Sequence, residues 1–205
     1  KNIFVTGIGT DVGKTVVSAI LAEAFDCDYW KPVQSGTFYG TDSNTVRNLV
    51  KNPKCVVHPE AILLKHALSP HAAAEQEGIE LEAETIEMPS TQNRLIIEGS
   101  GGALVPLNHK FFVADMIKKF DCEVVVVIQN YLGSTNHSLL TLEALRVRNI
   151  PIMGLVFNGA PHKPTEEIIT HFSGARILGR VLPEKSINTE VIKKYAQQFK
   201  QELVA

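Results

Sequence analysis

Short apolar runs alternate along this chain with stretches whose apolar residues recur at helical spacing. The runs are Ile3–Thr6, Leu95–Ile97, Glu123–Ile128, Ile152–Phe157 and Arg176–Leu178, with a shorter one at Asp28-Tyr29-Trp30. Between them Val16, Val17, Ala19, Ile20 and Ala24 fall on one helical face. Val113, Met116, Ile117 and Phe120 do the same, and then Leu139, Leu142 and Leu145. Strands that are apolar on both faces need cover on both faces. The pattern therefore predicts an α/β fold, a mostly parallel sheet covered by helices on both faces. Val191, Ile192, Tyr195, Ala196 and Phe199 predict a final amphipathic helix. From about Thr37 to Arg94 the pattern is broken by Pro53, Pro59, Pro70 and Pro89, which predicts short helices and loops rather than a second domain. Residues 1–205 are expected to form one α/β domain.

Composition narrows the partners. Apolar residues make up 44% of the chain, enough for a core, and the formal net charge is −2. That charge gives no basic surface for nucleic acid or for an anionic membrane, so neither is expected as a partner. The longest apolar run, Val124 to Ile128, is far too short to span a bilayer. Cys27, Cys55 and Cys122 are odd in number, widely spaced and without metal-like pairing. They read as reduced thiols, and with no signal-like segment they predict a cytoplasmic protein.

The densest chemistry lies in Gly7-Ile8-Gly9-Thr10-Asp11-Val12-Gly13-Lys14-Thr15, after the first apolar run and before the first helical pattern. Strand, glycine loop and helix in that order form a phosphate-binding loop. Glycines let backbone N–H groups curl around phosphate oxygens, and the helix that follows points its positive end at them. Lys14 is placed to reach the outer phosphates, and the Thr15 hydroxyl to hold Mg²⁺. Five residues separate Gly7 from Gly13 where the usual pattern has four, so the loop is a variant. The competing reading is a glycine-rich turn that caps an ordinary helix.

In open α/β sheets ligands bind beyond the carboxyl ends of the strands, and the remaining polar clusters fall there. Glu98, after Leu95-Ile96-Ile97 and before Gly99-Ser100-Gly101-Gly102, is a carboxylate placed to meet Mg²⁺; otherwise it caps the next helix. Asp42 reads as a helix N-cap or as a second carboxylate on the metal. Lys31, in Trp30-Lys31-Pro32-Val33-Gln34-Ser35-Gly36, is either a solvated lysine or a second cation for phosphate charge. Ser134 and Asn136 read first as caps, on a helix start whose free N–H groups could also take a carboxylate. His71 reads as polar lining or surface.

Taken together these segments resemble the dethiobiotin synthetases, ATP-dependent enzymes of biotin synthesis. The resemblance rests on Gly7 with Thr10-Asp11-Val12-Gly13-Lys14-Thr15, on Tyr29 to Gly36, on Ser69-Pro70-His71, on Glu98 to Gly102, on Leu132 to His137 and on Asn158. It covers the chain to about residue 160. It implies a P-loop NTPase-like fold, a homodimer, and ATP and Mg²⁺ as cofactors. It also implies 7,8-diaminopelargonate and CO₂ as substrates. One amine takes up CO₂ as a carbamate, the carbamate attacks the γ-phosphate, and the second amine closes the cyclic urea from the carbamic–phosphoric anhydride.

By the same resemblance Lys31 and Lys14 act in catalysis, and Thr15, Asp42 and Glu98 hold the metal. The nucleotide falls to Asp11, Val12, Gly13, Lys14, Thr15, Val16, Asp42, Glu98, Gly99, Ser100, Gly101, Asn158, Gly159 and Pro183. Ser35 would meet the diamine or its carbamate, and Asn136 the substrate carboxylate across the dimer interface. Tyr131 stands where some relatives carry Lys, and Gly159 where Asp is common. The runner-up is a P-loop ATPase switch of the partitioning or site-placement type. Those carry an extra lysine early in the loop, whereas here Asp11 is the only charged residue before Lys14. An amidotransferase of cobyric acid type lacks support, since no second domain is expected. A nucleotide sensor would leave the Lys31 segment without a use.

Overall fold

Ile3 to Gly7 and Val124 to Ile128 are buried without a break, so these two runs lie side by side at the centre of a covered sheet. The computed structural model describes residues 1–204. The chain runs β1 (Ile3–Gly7), α1 (Lys14–Phe25), β2 (Asp28–Trp30), β3 (Val33–Ser35), α2 (Asp42–Leu49), β4 (Ile62–Leu64), α3 (Pro70–Glu77) and β5 (Leu95–Gly102). It continues with α4 (Val113–Lys119), β6 (Glu123–Gln129), α5 (Ser134–Val147), β7 (Ile152–Asn158), α6 (Lys163–Ser173), β8 (Ile177–Val181) and α7 (Thr189–Val204). Six strands form one sheet in the order β2-β5-β1-β6-β7-β8, and every pairing is parallel.

That order positions the site. From β1 the chain moves outward to β2 and returns through β5; it then passes to the far side of β1 and runs outward again through β6, β7 and β8. The direction of winding reverses at β1, so the loop after β1 opens into the crevice where such sheets bind ligands. Helix α1 begins in that loop. Val17, Ala19, Ile20, Leu21 and Ala22 on it are all fully buried, because the helix lies between the sheet, α2 and α7. Among the described residues, no helix is long and apolar enough to cross a membrane.

The structure departs from the sequence reading in several places. The run at Leu95–Ile97 continues as strand to Gly102, because the backbone keeps pairing with β1 across a bulge and brings Gly102 opposite Gly7. Glu98 therefore sits inside a strand, not in the loop after it. The broken middle holds a second, two-stranded parallel sheet of β3 and β4, each three residues long and too short to show a period. Helix α6 was not foreseen, and the last strand lies at Ile177–Val181 rather than Arg176–Leu178. Caps also differ. Thr41 caps α2 through its hydroxyl, 3.2 Å from Asn44 N, which leaves Asp42 as the first helical residue. Gly133, at φ 99°, starts α5, so neither Ser134 nor Asn136 is its cap.

Candidate functional site

The loop from Gly7 to Thr15 wraps the start of α1. Gly13 adopts φ 97°, and a Cβ there would stand 2.2 Å from Asn158 Nδ2. Asn158, at the end of β7, donates to Val12 O at 2.9 Å. The loop is thus pinned to a strand two places away in the sheet, and only glycine fits the contact. Lys14 is 7% exposed and turns back over the loop, its Nζ donating to Gly9 O at 2.9 Å. Burial holds its ammonium below the usual lysine range, and nearby Lys31 adds to that, while Glu98 and Asp42 oppose it.

Two neighbouring strands, β2 and β5, and two helix starts, α1 and α2, bring the polar groups together. The Thr15 hydroxyl lies 2.9 Å from Glu98 Oε1 and 3.0 Å from Asp42 Oδ1. It has one proton to give, so the two carboxylates converge on a single donor. Lys31 Nζ bridges the same pair, bonded to Asp42 Oδ2 and lying 3.1 Å from Glu98 Oε1. Lys31 and Glu98 are 5% and 1% exposed. Burial alone would lower the Lys31 ammonium, but Glu98 and Asp42 outweigh it and hold it above its ordinary value. The register explains the meeting. Trp30 on β2 pairs with Ile97 on β5, so the next residues, Lys31 and Glu98, emerge side by side.

These groups line a cleft of about 750 Å³. Thr10, Asp11, Gly13, Lys14, Thr15 and Val16 form one wall, and Lys31, Ser35, Asp42, Glu98, Ser100 and Gly101 the floor and opposite side. Of the sequence-expected residues, Val12, Gly99, Asn136, Asn158, Gly159 and Pro183 do not line it. Asn158 still touches the loop from behind, at Val12 O. Asn136 and Pro183 are exposed at the ends of other elements. Sequence reasoning gave no role to Gln34, whose Oε1 accepts from Asp42 N at 3.0 Å. It also passed over Tyr29, whose buried hydroxyl donates to Glu98 Oε2 at 2.8 Å. Burial, with the Glu98 charge, keeps that phenol well above its ordinary value. The apolar wall of Ala67, Leu68, Pro70 and Val105 was also unassigned; only Ser69-Pro70 hinted at it. His71 lies outside the lining.

Further along the strand ends, Glu166 on α6 ties three segments. Its Oε1 accepts from Asn130 Nδ2 at 2.8 Å and from His162 N at 2.9 Å, and its other oxygen pairs with Arg180. The loops after β6 and β7 are held to β8 by one carboxylate. Burial pushes that carboxyl up, but the His162 N–H, Arg180 and Asn130 outweigh it and hold it below the usual range.

A hydroxyl and two carboxylates at one point suit a hard cation. Mg²⁺ is held by one or two carboxylates with waters and phosphate oxygens, not by a full protein cage. Among the described residues no group of three or more His, Cys, Asp or Glu side chains is arranged for a metal. The Thr15, Asp42 and Glu98 set fits the first pattern.

Comparison with known proteins gives the chain's kin. The family model described as an AAA domain matches residues 1–191. The chain is 52% identical to the ATP-dependent dethiobiotin synthetase BioD of Cytophaga hutchinsonii, over 96% of this chain and 95% of that protein. It is 47% identical to the enzyme of the same name from Christiangramia forsetii, over 99% and 98%. It is 40% identical to that of Paramagnetospirillum magneticum, over 94% and 93%. Among solved structures it resembles a ParA family ATPase from Chlorobium tepidum, with TM-score 0.53 at 15% identity, covering 96% of this chain and 99% of that one. It also resembles the cell division ATPase MinD of Pyrococcus furiosus, with TM-score 0.56 at 13% identity, covering 100% and 99%. At such identity these likenesses speak for the fold alone.

Proposed function

The chain belongs to the ATP-dependent dethiobiotin synthetase family, a ligase of biotin biosynthesis, and from that premise we propose that it closes the cyclic urea of dethiobiotin from 7,8-diaminopelargonate, CO₂ and ATP, with Mg²⁺. The observation that carries this reading is the convergence of Thr15, Lys31, Asp42 and Glu98 at the mouth of the phosphate loop. A switch ATPase needs the loop and a metal; it has no use for a buried lysine held between the two carboxylates.

The reaction follows from charge. The loop amides and Lys14 receive the phosphates of ATP, and Thr15, Asp42 and Glu98 would hold Mg²⁺. When bound, Mg²⁺ would neutralise phosphate charge. One amine of the substrate carries CO₂ as a carbamate, whose oxygen attacks the γ-phosphorus while ADP leaves. Negative charge spreads over the transferring phosphoryl group. Lys31, freed from one of its carboxylates, is the mobile cation on that side, and Lys14 the fixed one. The second amine attacks the carbamic–phosphoric anhydride, the urea ring closes and phosphate departs. Ser35 at the cleft floor meets the diamine end, and Leu68, Pro70 and Val105 give the methylene chain an apolar wall.

The nucleotide base lies beyond the loop toward Asn158, Gly159 and Pro183, and Asn136 takes the substrate carboxylate from a second copy of the chain. What supports a homodimer is the outer face around α5. Leu140 and Val147 lie seven residues apart on α5 and are 58% and 72% exposed, and Leu132 is fully exposed in the loop before it. The test of the function is phosphate release from ATP with and without diaminopelargonate and bicarbonate. Strong stimulation by the diamine is expected. ATP hydrolysis indifferent to it would favour the switch reading.

A further inference from the structure

The two oxygens of Glu98 have separate duties. Oε1 faces Thr15 and Lys31 at 2.9 and 3.1 Å. Oε2 points the other way and accepts from the Tyr29 hydroxyl at 2.8 Å. Tyr29 is fully buried. It pairs with Ile96 across β2 and β5, so its ring and the Glu98 side chain are diagonal neighbours on one face of the sheet. Its backbone is fixed as well: Tyr29 N donates to Val56 O, and Tyr29 O accepts from His58 N, both at 2.9 Å. The ring packs like any core aromatic. The hydroxyl adds one thing to it, the bond to Glu98, which is its one hydrogen-bond partner among the described residues.

We infer that Tyr29 is a positioning residue for the metal site: its hydroxyl anchors Glu98 Oε2 and so keeps Oε1 aimed at Thr15 and the cation. This rests on the reading of Glu98 as a metal ligand. A buried carboxylate oxygen that loses its donor turns to find another, and among the described residues the other donors bonded to Glu98 are Lys31 and Thr15, both at Oε1. Turning toward them moves Oε1 off the metal. Partners that orient a ligand in this way are typically worth about ten- to a hundredfold in metal affinity.

The experiment is a Mn²⁺ titration by electron paramagnetic resonance, with a non-hydrolysable ATP analogue present, on the wild type, Tyr29→Phe and Glu98→Gln. Tyr29→Phe is expected to weaken Mn²⁺ about tenfold or more. It should raise the Mg²⁺ needed for half-maximal turnover, with turnover largely restored at saturating Mg²⁺. A Mn²⁺ affinity within about twofold of wild type for Tyr29→Phe, with Glu98→Gln clearly weakened, overturns the inference and leaves Glu98 as a ligand. Unchanged affinity in both variants removes the metal reading and this inference together. Melting temperature without metal separates a packing loss, which would leave the Mn²⁺ affinity of the folded fraction unmoved. Should Tyr29→Phe fail to fold, Tyr29→Met removes the hydroxyl with similar volume and is read by the same outcomes.

Discussion

Lys31 Nζ lies 3.1 Å from Glu98 Oε1, the same oxygen that faces the Thr15 hydroxyl at 2.9 Å. A cation bound between Thr15, Asp42 and Glu98 competes with Lys31 for that oxygen. On the proposed function, filling the site would loosen the lysine as phosphate charge arrives to receive it.

Lys31→Ala is expected to abolish turnover while ATP binding survives. It also leaves the buried Glu98 carboxylate and the half-buried Asp42 without their cation, and breaking a fully buried pair costs about 3–5 kcal/mol, the upper bound for this one. The same vacancy should let a divalent ion stabilise the variant more than the wild type. Phosphate release, titration with a fluorescent ATP analogue, and thermal melts with and without Mg²⁺ measure these outcomes. Retained turnover removes Lys31 from the mechanism.

Glu98→Gln should shift the Mg²⁺ dependence of turnover to higher concentration by about tenfold or more, since an amide is a poor ligand for a hard cation. A Mg²⁺ titration that overlays the wild-type curve counts against Glu98 as a ligand.

Gly13→Ala should lose nucleotide binding. At φ 97° an L side chain costs about 1–3 kcal/mol, and its Cβ would collide with Asn158 at 2.2 Å, where the carboxamide holds Val12 O. Titration with a fluorescent ATP analogue reads the loss. Gly13→Ala with Asn158→Ala should recover part of the stability, because the collision goes while the strain stays.

Asp28 predicts a pH dependence away from the cleft. The side chain is 1% exposed and accepts from Val56 N, Asn93 Nδ2, Thr91 Oγ1 and His58 Nε2 at 2.7–2.9 Å. Burial pushes its carboxyl up, but Asn93, Thr91, the Val56 N–H and His58 outweigh it and hold it below the usual range. The folded value is then lower than the unfolded value of about 3.9. Its stabilisation is present above that value and is lost as pH falls through the folded one. Asp28→Asn should lower the melting temperature at neutral pH, and the gap from wild type should narrow below about pH 4. A gap that is constant from pH 3 to 7 refutes the assignment.

The proposed homodimer makes a forecast of its own. Leu140→Asp places a charge on the exposed apolar face of α5 and should shift sedimentation from dimer to monomer with little change in melting at high protein dilution. A wild type that sediments as a monomer ends that proposal.

Much of the site was legible because its parts are local. Lys14 and Thr15 are neighbours in one loop, and Lys31 and Glu98 stand at or near the ends of apolar runs, where parallel sheets put their ligands. Tyr29 was not legible. In a buried run a tyrosine looks like any apolar residue, and its partner is 69 positions away. β3 and β4 were hidden for another reason, since three residues carry too little pattern to reveal a strand. The continuation of β5 to Gly102 was masked by its glycines, which read as loop until β1 is there to pair with them.

By itself the sequence determined the phosphate loop, the alternation of buried strands and helices, and the family kinship. Each depends on neighbours in the chain or on a repeating period. The tertiary structure alone decided that Lys31 would stand beside Glu98, because periodicity tells which face of a strand is buried and not which strand lies next to it. The pairing of β2 with β5 brought residues 67 positions apart within a hydrogen bond, and turned a lysine and a glutamate into one site.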